Sequence, residues 1–197
     1  MEKVFDTLID SFLENKVGIQ ENFIPNSLLL NLRNNILELQ NQGKLKRAGT
    51  GSNTNRNSLT NVRGDQICWL ERTHNNASEN QFLDMLDNFI EYLNTTCYTG
   101  IKSYEFHYTL YEKGTYYHKH LDQFTNKDSR KYSLILYLNE NWQENDGGEL
   151  EIELNEQTYK ITPTMGKCVF FKSNEIPHAV LMTQKNRLSI TGWLKTK

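Results

Sequence analysis

Tyr104-Glu105-Phe106-His107-Tyr108-Thr109-Leu110-Tyr111 decides the fold. Tyr104, Phe106, Tyr108 and Leu110 alternate with Glu105, His107, Thr109 and Tyr111. Successive side chains of a strand point to opposite faces, so a period of two predicts a β-strand. The same pattern recurs downstream. Leu134-Ile135-Leu136-Tyr137-Leu138 is a continuous apolar run, as expected of a strand buried on both faces. Asp146-Gly147-Gly148 is a turn. Leu150, Ile152 and Leu154 alternate with glutamates, which predicts a strand with one wet face. Residues 159–162, 167–171, 179–183 and 188–195 complete a series of short strands. Such a series predicts a sandwich, jelly roll or barrel.

Upstream the period lengthens to that of a helix. Phe5, Leu8, Ile9, Phe12 and Leu13 share one helical face. Residues 18–23 read as a short strand. Pro25-Asn26 opens a second helix with a stripe of Leu28, Leu29, Leu32, Ile36 and Leu39, and Gly43 closes it. Residues 44–61 are polar and rich in Asn, Ser, Thr and Gly. They read as a long loop, a class that is often functional. A strand is expected at Ile67-Cys68-Trp69-Leu70, then a third helix carrying Phe82, Met85, Leu86, Phe89, Ile90 and Leu93. No repeat or linker divides the chain. The expectation is one α+β domain over 1–197, with a helical part at about 1–100. A double-stranded β-helix (jelly roll) at about 101–197 would complete it.

Composition narrows the function. Lys plus Arg is 22 against 24 for Asp plus Glu, a net charge of −2, which weighs against a nucleic-acid partner. No apolar run reaches the roughly 18 residues of a membrane span. Met1-Glu2-Lys3-Val4-Phe5-Asp6 lacks the apolar core of a signal peptide, so a cytoplasmic protein with no membrane partner is expected. Cys68, Cys97 and Cys168 are widely spaced and odd in number. They read as reduced, mostly buried thiols.

The chemistry is carried by His120-Leu121-Asp122, His178 and Arg187. On a strand His120 and Asp122 point to one side, and His178 would join them from another strand. Two histidines and a carboxylate form the open-sided donor set of non-haem Fe(II) sites. A structural zinc site normally closes with four ligands and more sulfur. His118 also sits two before His120, so His118-x-His120 is a competing pair. Arg187 offers a planar fork for a carboxylate. His74 and His107 have no partner in the pattern and read as structural or surface residues.

Tyr117-His118-Lys119-His120-Leu121-Asp122, Leu136-Tyr137-Leu138-Asn139, Gly147-Gly148-Glu149-Leu150, Pro177-His178 and Arg187-Leu188-Ser189-Ile190-Thr191-Gly192-Trp193 resemble the 2-oxoglutarate- and Fe(II)-dependent oxygenases. Val62-Arg63-Gly64-Asp65-Gln66-Ile67-Cys68-Trp69-Leu70-Glu71 is similar to the segment that precedes the substrate-covering loop in prolyl hydroxylases of the hypoxia-sensing class and their bacterial relatives. The resemblance covers nearly the whole chain. It implies His120, Asp122 and His178 as iron ligands, and Arg187 and Tyr137 as partners of the far carboxylate of 2-oxoglutarate. Tyr111 and Thr191 would line that pocket, and Trp193 would stand near its mouth. Arg63 and Asp65 would lie at the base of the mobile loop, with Asp65 paired to Arg130, and residues 44–61 would cover the substrate.

The implied reaction hydroxylates a prolyl residue of a protein or peptide and releases succinate and CO2. Ascorbate would serve as reductant, and a translation factor would be a candidate substrate. The alternative is a superfamily member that hydroxylates a free amino acid, a small metabolite or another side chain. The intact ligand and clamp positions speak against a non-enzymatic metal-binding jelly roll. The stretch from Tyr111 to Tyr117 is shorter than in the hypoxia-sensing pattern, and His118 stands where a basic residue is usual. Both departures bear on the identity of the substrate rather than on iron binding.

Overall fold

The computed structural model describes residues 2–49, 63–123 and 129–197. Three helices come first: α1 (Glu2–Asn15), α2 (Asn26–Asn41) and α3 (Ala77–Thr96). Among them lie β1 (Val17–Gln20), β2 (Lys46–Arg47) and β3 (Asp65–Trp69). The rest is strand: β4 (Ser103–Tyr111), β5 (Tyr117–His120), β6 (Arg130–Tyr137), β7 (Leu150–Leu154), β8 (Gln157–Ile161), β9 (Cys168–Lys172), β10 (His178–Val180) and β11 (Arg187–Lys195). They form a seven-stranded sheet ordered β1-β9-β6-β11-β4-β3-β2 and a four-stranded sheet ordered β5-β10-β7-β8. This is a jelly roll, one of the three architectures that the strand spacing allowed and the one expected for residues 101–197, with the helices packed on one face.

The larger sheet is buried on both sides, and side-chain alternation says how. Leu134 and Leu136 of β6 join the core under the helices, whereas Ile135 and Tyr137 face the second sheet. Phe106, Tyr108 and Leu110 of β4 likewise enter the helix-side core. Phe89 of α3 is fully buried there and meets the rings of Phe5, Phe23 and Phe170 at 4.9, 5.9 and 5.7 Å. Truncating such a ring to alanine costs about 3–5 kcal/mol. α3 begins where the Asn76 side chain accepts from the backbone N–H groups of Ser78 and Glu79. The helices therefore brace the larger sheet from behind, and its other face is left to line the space between the sheets.

Two sequence expectations change. The polar stretch at 44–61 is not all loop, because Lys46 and Arg47 pair with Ile67 and Gln66. Residues 50–61 of the expected covering loop lie outside the described residues. All three cysteines are free thiols, but only Cys168 is buried; Cys68 is half-buried and Cys97 exposed. Cys97 caps the end of α3, where the helix leaves its packing face, and Cys68 sits near the edge of the larger sheet.

Candidate metal centre

Strand register brings the two histidines together. In the antiparallel β5–β10 pair His178 stands opposite His120. Side chains directly opposed across a ladder lie about 5 Å apart at Cβ. Asp122 lies just past the end of β5, so it reaches the same point from the bend rather than from the strand itself. Its Oδ1 is 3.5 Å from His120 Nε2, and its Oδ2 is 3.6 Å from His178 Nε2. Leu121 between them is exposed. His120, Asp122 and His178 are the one set of three such donors among the described residues whose ligand atoms gather within 4.8 Å. His118 is exposed and meets His120 through its carbonyl rather than its ring.

The donors are prepared for a cation. His120 Nδ1 donates to His118 O at 2.8 Å and His178 Nδ1 to Ile176 O at 2.9 Å. Those bonds place the proton on Nδ1 and leave each Nε2 lone pair facing Asp122. Ser133 Oγ donates to Asp122 Oδ2 at 2.7 Å, backed by Ser173 at 2.9 Å. Burial would raise the Asp122 carboxyl, but His178, His120 and Ser133 together hold it far below the usual carboxylate range. Burial also lowers the His178 ring, with Asp122 opposing it. Three donors on one side leave open positions, as non-haem Fe(II) chemistry needs.

A second polar cluster sits beside this one in a cavity of about 680 Å³. Arg187 opens β11 opposite Tyr111 of β4 and is 1% exposed. Its Nε donates to Gly148 O at 2.7 Å, and its guanidinium carbon lies 5.0 and 5.3 Å from the Tyr137 and Tyr111 rings. Arg187 Nη2 and Tyr137 Oη are buried and have no hydrogen-bond partner. A buried donor left unpaired costs about 1–3 kcal/mol, and more beside a charge. A guanidinium with a phenol beside it suits an anionic oxygen pair. Burial pushes the Tyr137 phenol up to about 12 and the Tyr111 phenol well above its ordinary value, so both remain neutral donors. Thr191 lines the same cavity.

The structure departs from sequence expectation at two places around the mouth. Asp65 takes Arg63 as its partner, at 2.6 and 2.5 Å to its two oxygens, rather than Arg130. Arg63 stands two residues before Asp65, so its fork meets that carboxylate directly. Arg130 pairs instead with Glu105 at 2.8 Å, reaches Asp122 O at 3.2 Å and covers the Trp193 ring at 3.4 Å. His107 is neither a surface residue nor a remote one. It is 3% exposed and lines the cavity, with Trp69 and Trp193 at 5.0 and 5.5 Å between ring centres. The signal was the alternation itself, which puts His107, Thr109 and Tyr111 on one face. His74 is bonded to Glu79 at 3.0 Å and stays structural.

The sequence model described as the 2OG-Fe(II) oxygenase superfamily matches residues 106–195. The fold is similar to a Pseudomonas putida prolyl-4-hydroxylase, with a TM-score of 0.88 and 32% identity over 98% of this chain and 99% of that one. It is also similar to a Trichoplax adhaerens prolyl hydroxylase bound to a hypoxia inducible factor peptide fragment. There the TM-score is 0.87 and the identity 26%, over 99% and 90% of the two chains. Among curated relatives, a Caenorhabditis elegans hypoxia-inducible factor prolyl hydroxylase is 30% identical over 149 residues. The match covers 71% of this chain but spans only 20% of the nematode protein.

Proposed function

Because the chain belongs to the 2-oxoglutarate- and Fe(II)-dependent oxygenases, within their prolyl hydroxylase subgroup, we propose that it hydroxylates a prolyl residue of a protein or peptide. The co-reaction is oxidative decarboxylation of 2-oxoglutarate to succinate and CO2. His120, Asp122 and His178 hold the iron. Arg187 and Tyr137 hold the far carboxylate of the co-substrate, and Tyr111 and Thr191 wall its pocket. The observation that carries this reading is Arg187, buried in the wall of the cavity that the donor triad lines, with its Nη2 unpartnered and the Tyr137 ring beside its guanidinium.

Bound iron supplies dioxygen activation; the chain supplies placement. Arg187 and Tyr137 would hold the far carboxylate of the co-substrate, leaving its keto-acid end free for the metal. The Nδ1 bonds of His120 and His178 hold both rings in one tautomer throughout. Ser133 keeps Asp122 ionised and fixed. Trp69, His107 and Trp193 line the same cavity ring against ring, a surface that suits a pyrrolidine ring. Ascorbate is the expected reductant for the iron.

Similarity to a bacterial prolyl hydroxylase makes a translation factor the first protein substrate to test, and a cytoplasmic location would suit it. Among the described residues no helix is long and apolar enough to cross a membrane. The test incubates purified protein with Fe(II), 2-oxoglutarate, oxygen and prolyl peptides or cell extract, followed by mass spectrometry. A one-oxygen gain on proline matched by succinate, absent in Asp122→Ala, supports the reading. Hydroxylation of free proline or a metabolite in place of every peptide would move the protein to the alternative substrate class.

A further inference from the structure

His120 is the less sheltered of the two histidines. His178 is 4% exposed, and the edge of Phe171 meets its ring at 4.9 Å. The His120 side chain is 18% exposed and belongs to β5, the edge of the smaller sheet. An edge residue with one ring hydrogen bond can still tilt about its outer torsion. Something else must set the plane of its imidazole.

Tyr117 supplies that constraint. Its ring is stacked on His120, 3.7 Å between centres and 18° between planes. The Arg63 guanidinium carbon lies over the Tyr117 ring, 4.5 Å from its centre. The imidazole occupies one face of Tyr117, so the guanidinium takes the other. Asp65, with a fully buried side chain, grips Arg63 through both carboxylate oxygens. The backbone adds to the join: Arg63 bridges to Tyr117, and Gly64 N–H donates to Tyr116 O at 3.0 Å. A Cβ on Gly64 would meet Thr115 Cβ at 2.6 Å, so the two segments are packed as close as glycine allows.

Resting on the metal reading above, we infer that Arg63 and Tyr117 are positioning residues for the metal. The Asp65-anchored guanidinium and the imidazole sandwich the Tyr117 ring, and this stack fixes the plane in which His120 Nε2 meets the ion. Asp65 begins β3 of the larger sheet and Tyr117 begins β5 of the smaller one, so the stack ties the metal ligand to both sheets. Outer partners of metal-binding histidines typically carry about a 10–100-fold share of affinity.

The test is Mn(II) titration by calorimetry and the visible spectrum of the Co(II) form, without co-substrate or turnover. Thermal unfolding of each metal-free variant checks the fold. Tyr117→Leu should weaken Mn(II) binding about tenfold and alter the Co(II) spectrum. Tyr117→Phe, which keeps the stack, should stay within about twofold of the parent. Arg63→Lys keeps a charge for Asp65 but loses the planar cap, and should weaken binding about threefold. A folded Tyr117→Leu protein with unchanged affinity and spectrum overturns the inference while leaving the metal site standing. If that variant does not fold, unchanged affinity and spectrum in Arg63→Lys overturns it. No Mn(II) binding by the parent protein overturns the metal reading and the inference together.

Discussion

Asp122 divides its two oxygens between His120 and His178, Oδ1 lying 3.5 Å from one Nε2 and Oδ2 3.6 Å from the other. The Oδ2 side is set by Ser133, whose hydroxyl donates to it at 2.7 Å from a fully buried position. Ser133→Ala should therefore lower metal affinity by about 10–100-fold although serine is not itself a ligand. Metal titration of the variant checks this. Equal affinity in parent and variant would remove Ser133 from the account.

Arg187→Lys replaces a fork by a point charge. One charge-assisted bond of about 1.5–3 kcal/mol is lost. The expected result is a roughly 10–100-fold rise in the KM for 2-oxoglutarate, with far less change in the affinity for Mn(II). A matching loss of metal binding would place Arg187 in the metal site instead.

Tyr137→Phe separates two effects of opposite sign. In the unliganded protein it removes a buried unpaired hydroxyl, so thermal stability should hold or rise. With co-substrate it removes a donor, so 2-oxoglutarate should bind about tenfold or more weakly. Calorimetry and thermal unfolding read the two separately. Unchanged 2-oxoglutarate affinity would contradict the assignment.

Gly148 has φ +66°, and a Cβ there would lie 3.1 Å from Arg187 Cδ and 3.0 Å from Thr183 Oγ1. Gly148 O also accepts the Arg187 Nε–H bond. Gly148→Ala should cost about 1–2 kcal/mol from backbone handedness alone. It should also raise the KM for 2-oxoglutarate by displacing the guanidinium. Denaturant unfolding and co-substrate kinetics test the two halves.

His107 sets a pH dependence. Burial lowers its ring from 6.5 to about 4, while the unfolded chain keeps the ordinary value. Between those values the unfolded state binds more protons, so stability rises with pH. Its contribution is full above 6.5 and is lost as pH falls through the window. Relative to His107→Gln, the parent should lose roughly 3 kcal/mol between pH 7 and pH 4. A constant difference across that range would show that His107 does not titrate as a buried neutral ring.

Period and spacing carried the sequence reading far. The alternation along 104–111 falls in β4, and the apolar run at 134–138 is the second half of β6 and one residue beyond it. The helical stripes of α1, α2 and α3 bury most of the residues expected of them, but Phe12, Leu39 and Ile90 are only partly buried and Leu13 at the end of α1 is exposed. His120, Asp122 and His178 were readable because two lie in one short motif and the third follows a proline. What stayed hidden depended on arrival in three dimensions. Asp65 was expected to pair with Arg130, and only the fold shows that Arg63 takes it while Glu105 takes Arg130. His107 looked unattached because its neighbours, Trp69 and Trp193, come from β3 and β11. Cys97 was expected among mostly buried thiols, yet it falls just past the last turn of α3 and is exposed.

The central claim is that one cavity holds Fe(II) on His120, Asp122 and His178 and 2-oxoglutarate on Arg187 and Tyr137. Its most direct test is anaerobic addition of 2-oxoglutarate to the Fe(II)-loaded protein, read as the visible charge-transfer band of the chelate. The account predicts a saturable band with one equivalent, absent in His178→Ala and shifted to much higher concentration in Arg187→Lys. No band in the iron-loaded parent protein, or an undiminished one in His178→Ala, would contradict it.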